Sequence, residues 1–223
     1  MVWKRLFGTD SSRGLDQVRA TILEMLANDR HSFDLATSAL LMGSHADVVG
    51  PDLLATDRQV NEATAEVRRQ LVVHVGVHGA SEAAPVLTFM SIVKDVERVG
   101  DYAKNILDLA REGADLSQDD DQEELSAYRN RVSALITEAS RIFGEGDAEA
   151  ARTLSAEGDE MLDDFDRRVD AYVQSDLSAR AAVPRALYYR YLKRIVAHLM
   201  NLLTALTMPL DRLDYFDEDA AAR

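Results

Sequence analysis

Apolar residues recur at steps of three and four along residues 85–111. This spacing is the period of an α-helix that buries one side and exposes the other. The residues that form this apolar stripe are Phe89, Ile92, Val93, Val96, Val99, Ala103, Ile106, Leu107 and Ala110. Five other segments show the same period, and no stretch shows the sustained two-residue alternation of a half-buried strand. We therefore predict an all-α protein with six helices.

The predicted helices divide into two sets of three. They begin near residues 11, 51, 85, 123, 147 and 181–184, and they end near residues 43, 76–79, 111–113, 143, 174 and 207. We predict a first three-helix repeat in residues 1–113, a solvated acidic linker in 114–122, a second and degenerate repeat in 123–210, and an acidic tail in 211–223. Register supports a duplication, because Asp57 aligns with Asp159, and Arg98 aligns with Arg194.

Composition limits the class of protein. A chain of 223 residues can bury a sizeable core. Its formal net charge of -14 argues against nucleic acid as a partner, because the phosphates would be repelled. That charge leaves room for cations or a basic protein surface, although high net charge also simply keeps a protein soluble. The absence of cysteine excludes disulfides and zinc–thiolate sites and fits a reducing cytoplasm.

Neither a secretory signal nor a membrane span is predicted. The first ten residues lack the apolar core of a signal peptide, and we expect Trp3, Leu6 and Phe7 to pack on the helices rather than enter a membrane surface. The most apolar run, residues 195–210, is too short for a span and contains His198 and Asn201. We expect a cytoplasmic protein that is not integral to a membrane.

Four oxygen-bearing side chains form the strongest candidate site. Glu97 and Asp101 lie one turn apart on the third helix, where two like charges cost a few tenths of a kcal/mol. Asp57 and Asn61 lie one turn apart on the second helix. If these helices are antiparallel neighbours, the four side chains meet across a groove. Carboxylate and amide oxygens suit Mg²⁺, Mn²⁺, Ca²⁺ or iron.

The alternative interpretation is an ordinary charged surface. Lys94 can pair with Glu97, and Lys104 can pair with Asp101, which leaves only water in the groove. In the second half, Lys193 stands in the place of Glu97, and Ala197 in that of Asp101. We therefore expect no metal there and predict an ion pair between Lys193 and Asp159 or Asp163 instead.

Other candidate chemistry is weak. His74 and His78 have the four-residue spacing of zinc ligands, but the glycines after them indicate a frayed helix end. His198 is isolated in sequence and is interpreted as structural or exposed. Nucleotide-binding, hydrolase and kinase motifs are absent, so we predict that the protein is not an enzyme.

Residues 95–106, DVERVGDYAKNI, resemble the signature helix of the PhoU family, roughly D-L-E-R-I-G-D-H-A-x-N-I. The matching residues include Glu97, Arg98, Gly100, Asp101 and Asn105. The resemblance implies two tandem three-helix bundles. It also implies a cytoplasmic regulator, often a homodimer, that acts on a phosphate transporter component or a sensor histidine kinase.

The resemblance also implies a metal. PhoU-like proteins bind iron or other metals through E/D-x-x-x-D motifs, which nominates Glu97 and Asp101, with Asp57 and Asn61 less securely. Iron, manganese, zinc or magnesium is expected in the first repeat and none in the second. We predict a non-enzymatic regulator of phosphate transport or phosphate-responsive signalling that acts as a helical adaptor. The alternative is a metal-binding or storage helical protein unrelated to phosphate control, which is disfavoured because paired Glu-x-x-His motifs are missing.

Overall fold

The computed structural model describes residues 12–214, which form six α-helices and two short 3-10 turns. The helices are α1 (Ser12–Leu41), α2 (Ala46–His78), α3 (Ala83–Arg111), α4 (Gln122–Glu145), α5 (Ala148–Val173) and α6 (Ala179–Thr207). The 3-10 turns are Ala80–Glu82 and Leu210–Arg212. No strand occurs within this part of the chain. The prediction of an all-α fold with two sets of three helices is confirmed.

The two sets of helices share one hydrophobic core. Helices α1, α2 and α3 pack on one another, and α6 packs on α4 and α5. The sets are joined because α3 also packs along α6, and α1 packs along α4. Phe89 of α3, for example, meets Phe143 of α4 edge to face, with 6.5 Å between ring centroids. The buried apolar side chains of all six helices form a single cluster. The division into repeats of residues 1–113 and 123–210 stays a prediction.

Two helices begin earlier than their prolines indicated. The sequence placed the start of the second helix near Pro51, whereas α2 begins at Ala46. Likewise α6 begins at Ala179, five residues before Pro184. A proline this close to a helix start removes only one intrahelical hydrogen bond, so packing of the preceding turn outweighs the loss. The fourth helix also ends slightly later than the predicted residue 143. It continues through Gly144 to Glu145 and stops before Gly146, whose backbone is in the left-handed region (φ 69°).

The acidic linker is anchored to the bundle rather than only solvated. Leu116 is buried, and its N–H donates to Leu40 O at 2.9 Å. The Arg185 guanidinium of α6 donates to Asp119 Oδ2 at 2.6 Å through Nη2 and to Asp121 Oδ2 at 2.7 Å through Nε. The connection between the two sets of helices is therefore held at both an apolar and a charged point.

The ends of the chain are described only in part. Trp3, Leu6 and Phe7 lie outside the described residues, as does the acidic tail from residue 215 onward. The beginning of that tail folds back on α3, where Asp214 Oδ2 accepts hydrogen bonds from Lys94 Nζ at 2.9 Å and Ser91 Oγ at 3.0 Å. None of the helices from residue 12 to residue 214 is long and apolar enough to span a membrane.

Candidate functional site

Three of the four nominated residues meet in a groove between α2 and α3, which we call the acidic groove. Lys104 Nζ lies 2.7 Å from Asp57 Oδ1 and 2.9 Å from Asp101 Oδ1, so one ammonium bridges both helices. Asn61 Nδ2 donates to Asp57 Oδ2 at 3.3 Å. The two helices are neighbours because only the 3-10 turn Ala80–Glu82 separates them. The acidic groove is therefore closed by a lysine.

Glu97, the fourth nominated residue, lies beside an arginine of α2. Its Oε2 is 3.8 Å from Arg68 Nη2 of α2. Arg98 Nε is likewise 3.9 Å from Asp101 Oδ2. The predicted pair of Lys104 with Asp101 is confirmed, but the predicted pair of Lys94 with Glu97 is wrong. Lys94 binds Asp214 instead, because the chain after α6 returns to this face of α3.

A fourth acidic residue near the groove, Asp29 of α1, was not predicted from the sequence. Its side chain is 0% exposed, and neither carboxylate oxygen has a hydrogen-bond partner among residues 12–214. It faces Gly100 of α3, where a Cβ would lie 2.6 Å from Asp29 Oδ1. One signal could have revealed it: Asp29 lies on the apolar stripe of α1, one turn from Met25 and one turn from Phe33. A charged residue on a buried stripe calls for a partner.

The electrostatics of the groove follow from this arrangement. Burial raises the pKa of Asp29 well above its ordinary value, and the neighbouring charges of Asp101, Asp57 and Glu97 raise that pKa further. Partial burial lowers the pKa of Lys104, but its hydrogen bonds to Asp57 and Asp101 outweigh burial and bring the pKa above the ordinary value. The raised pKa of Lys104 keeps its amine positively charged, whereas the raised pKa of Asp29 favours the neutral form of its carboxyl.

The residues fit a hard cation in chemistry, but they are not gathered around one. Among residues 12–214, no three His, Asp or Glu side chains converge as a metal site. The oxygens of Asp57 and Asp101 converge on Lys104 Nζ instead. The donors are nevertheless all oxygens, and those of Asp29 are buried without partners, as suits Mg²⁺, Mn²⁺ or Fe²⁺. Asp57, Asn61, Glu97 and Asp101 would hold the ion, which would supply positive charge to the groove.

The helices that line the acidic groove lie in a segment that matches a known sequence family. Residues 22–110 match the family model described as the PhoU domain. This segment of the chain is similar to a PhoU domain. The resemblance drawn from residues 95–106 is therefore confirmed, and the matched segment lies within α1 to α3, the helices that surround the acidic groove.

Solved structures extend the likeness of the fold beyond the PhoU domain. PhoU from Pseudomonas aeruginosa is similar with a TM-score of 0.72 and 20% sequence identity, over 88% of this chain and 97% of that chain. The phosphate transport system regulatory protein PhoU from Streptococcus pneumoniae has a TM-score of 0.72 and 14% identity, over 88% of this chain and 95% of that chain. The TM-scores and the coverage show a shared fold that includes the second half. No match is found among curated proteins.

The second half has no counterpart of the PhoU domain's acidic pair. Lys193 Nζ lies 2.6 Å from Asp166 Oδ2, so the predicted ion pair forms, but with Asp166 rather than Asp159 or Asp163. The alignment of the two halves identified the correct helix and misplaced the contact by about one turn. The exact facing of α5 and α6 is set by tertiary packing, which includes Gly158, where a Cβ would lie 2.4 Å from Met200 Sδ.

The histidine pair near the end of α2 lies inside the PhoU domain and apart from the acidic groove. The helix continues to His78, so the predicted frayed end is wrong. His74 is buried, its Nε2 lies 3.5 Å from Glu82 Oε2, and its ring centroid is 4.5 Å from that of His78. Both histidines line a pocket of about 480 Å³. Packing against Gly14 of α1, where a Cβ would lie 2.8 Å from His74 Nδ1, explains why this end is ordered.

A buried polar cluster joins the PhoU domain to the second half. Asp95 Oδ1 of α3 lies 2.8 Å from His198 Nδ1 and accepts from Asn201 Nδ2 at 3.1 Å, both on α6. All three side chains are buried, and the Tyr102 ring stacks on the His198 ring at 5.7 Å. His198 is therefore structural and not isolated. Asp95, the first residue of the signature, thus points to the interface between the halves and not to the acidic groove.

Proposed function

We propose that this chain is a non-enzymatic regulator of phosphate transport or of phosphate-responsive signalling. In this proposal it acts in the cytoplasm, as a homodimer, and as a helical adaptor on a phosphate transporter component or a sensor histidine kinase. The observation that carries the proposal is the PhoU domain in residues 22–110. Support also comes from the fold, which is shared over 88% of the chain with a protein described as a phosphate transport system regulator.

The packing of the chain favours a regulator over an enzyme. Several polar interactions link separate elements of the fold: Lys104 joins α2 to α3, His198 joins α6 to α3, and Arg185 joins α6 to the linker. Groups used in this way fix the relative positions of helices. They are not arranged as a base beside a nucleophile, which catalysis by acyl or phosphoryl transfer would require.

Removal of the chain from its own cell is the direct test of the regulatory proposal. We expect a deletion strain to change its uptake of radiolabelled phosphate, or its phosphate-dependent kinase output, and a wild-type copy to restore both. Crosslinking in intact cells should recover a transporter component or a sensor kinase with the tagged chain. Unchanged uptake and kinase output at both low and high phosphate would contradict the proposal.

We also propose a metal ion in the acidic groove of the PhoU domain. The ligands are Glu97, Asp101, Asp57 and, less strongly, Asn61, all with oxygen donors that suit a hard cation. Iron, manganese, zinc or magnesium is the proposed occupant. The second half is proposed to hold none, since Lys193 there forms an ion pair with Asp166.

Elemental analysis of protein purified without tag or chelator tests the metal proposal. We expect metal in the wild-type protein and its loss in Glu97→Ala/Asp101→Ala. The matched control is Asp159→Ala/Asp163→Ala, which removes the aligned charges of the second half and should keep the metal. If the wild-type protein carries none, even after incubation with Fe²⁺, Mn²⁺ and Zn²⁺, the metal proposal fails, whereas the regulatory proposal is decided by the uptake experiment.

A further inference from the structure

The Asp29 carboxyl is the least compensated polar group near the acidic groove. It is fully buried, and both of its oxygens lack hydrogen-bond partners in the part of the chain that the structure describes. A buried carboxylate without a hydrogen bond or a counter-charge is costly, and an apolar residue on the same stripe would avoid the cost. A ligand from outside the described residues would therefore be needed to satisfy the two carboxylate oxygens of Asp29.

The carboxyl lies at the inner side of the groove, against α3. Its Oδ1 sits where a side chain on residue 100 would begin, since a Cβ on Gly100 would be 2.6 Å away. Gly100 is adjacent to Asp101, and the charges that act on Asp29 are those of Asp101, Asp57 and Glu97. Acidic side chains of α1, α2 and α3 are thus close enough for their charges to act on one another.

The cations near the groove serve its outer side. Lys104 Nζ bridges Asp57 and Asp101, and it makes no hydrogen bond to Asp29. Arg68 lies beside Glu97, and Arg98 lies beside Asp101, both at almost 4 Å. The side chains of both arginines are about half exposed to solvent, Arg68 at 48% and Arg98 at 60%. Positive charge therefore reaches the outer carboxylates and leaves the inner carboxyl unpaired.

We propose that Asp29 is a buried ligand of the divalent cation held in the acidic groove, and that Lys104 takes the place of the cation in the metal-free protein. This inference rests on the proposed metal site and adds a ligand from a third helix. A small oxygen-bound ion such as Mn²⁺ would reach both the inner and the outer carboxylates. Lys104 must withdraw when the ion binds, because an ion at the same oxygens would repel its ammonium.

The variant Asp29→Asn tests whether Asp29 binds the metal ion or is a buried acid with no ligand role. Asparagine keeps the shape and removes the charge. Without metal, the variant should unfold at a higher temperature than the wild type, because asparagine cannot ionise and so avoids the cost of burying an acid. On addition of Mn²⁺, the wild-type melting temperature should rise and that of the variant should rise little. Outer-shell changes cost about 10- to 100-fold in metal affinity, so loss of a ligand should weaken Mn²⁺ binding by about 100-fold in titration calorimetry.

Lys104→Met tests the second part of the proposal. We expect it to bind Mn²⁺ more tightly than the wild type, because the internal competitor is absent. The matched control is Lys94→Met on the same helix, which removes the pair with Asp214 and should leave Mn²⁺ affinity unchanged. Equal Mn²⁺ affinity in Lys104→Met and the wild type would overturn the competition.

A second variant, Gly100→Ala, tests the role of Asp29 in case the Asp29→Asn variant does not fold. Gly100→Ala alters no ligand and places a methyl group 2.6 Å from Asp29 Oδ1, so it should weaken Mn²⁺ binding by displacing that carboxyl. Full Mn²⁺ affinity in either variant, folded by circular dichroism, overturns the role of Asp29 while the metal site stands. Absence of Mn²⁺ binding in the wild-type protein overturns the site and this inference together.

Discussion

Asp95→Ala is expected to lower the free energy of unfolding by about 3 kcal/mol, since each buried donor that loses its acceptor costs about 1–3 kcal/mol. Two donors are affected. His198 Nδ1 must carry its proton toward a carboxylate oxygen, and Asn201 Nδ2 donates to the same Asp95 Oδ1. Both lie at the interface of α3 and α6, where water cannot replace the lost acceptor without entering the core.

Urea unfolding followed by circular dichroism measures this loss. The matched control is Asp108→Ala on the same helix, whose side chain is 60% exposed and pairs with Arg111 at the surface. That change should stay within about 0.5 kcal/mol of the wild type. If Asp95→Ala also stays within that range, the cluster does not support the interface between the halves.

Arg185→Met is expected to cost about 2–3 kcal/mol at neutral pH, since hydrogen bonds to charged groups contribute about 1.5–3 kcal/mol. The guanidinium is nearly buried and binds Asp119, Asp121 and the carbonyl of Ala181. Both acids are partly exposed and stay hydrated once the arginine is gone, which limits the loss. Arg185→Lys should recover only a part, because an ammonium cannot reproduce the planar fork.

The cost of Arg185→Met should depend on pH. The Arg185 guanidinium holds the pKa of Asp121 below its ordinary value, although partial burial of the carboxyl works in the opposite direction. A lowered folded-state pKa stabilises the protein above the unfolded value, near 3.9 for aspartate, and this contribution is lost as the pH falls through the folded value. Unfolding at pH 7 should therefore separate variant from wild type, and the gap should narrow below about pH 4. A gap of constant size would contradict this account.

Much of the fold was readable from the sequence because helical periodicity is a local signal. The three- and four-residue steps located all six helices, and the short connection after His78 made α2 and α3 neighbours. Helix starts were less readable. Pro51 and Pro184 mark where an isolated helix would prefer to begin, whereas tertiary packing decides whether the preceding turn also forms.

The candidate site was readable only where its residues share a helix or lie on consecutive helices. Asp57, Asn61 and Asp101 fall in one groove, as their spacing indicated. Asp29 was missed because its neighbours come from α2 and α3, far away in sequence. His198 was read as isolated for the same reason, since Asp95 lies in the other half of the chain. Contacts of this kind depend on how helices face each other, which a single sequence does not state.

The shared core gives the second half a structural role, which is to cover apolar surface of the first half. Because α6 covers α3, and α4 covers α1, each set of three helices relies on the other to shield one apolar side from water. A chain cut at the acidic linker would expose both sides and would be prone to association. The second half therefore has a reason to be kept even with Lys193 and Ala197 where the first half has its acidic pair. Because the two halves share one core, the loss of either half would destabilise the other, whereas the polar residues on their surfaces can differ.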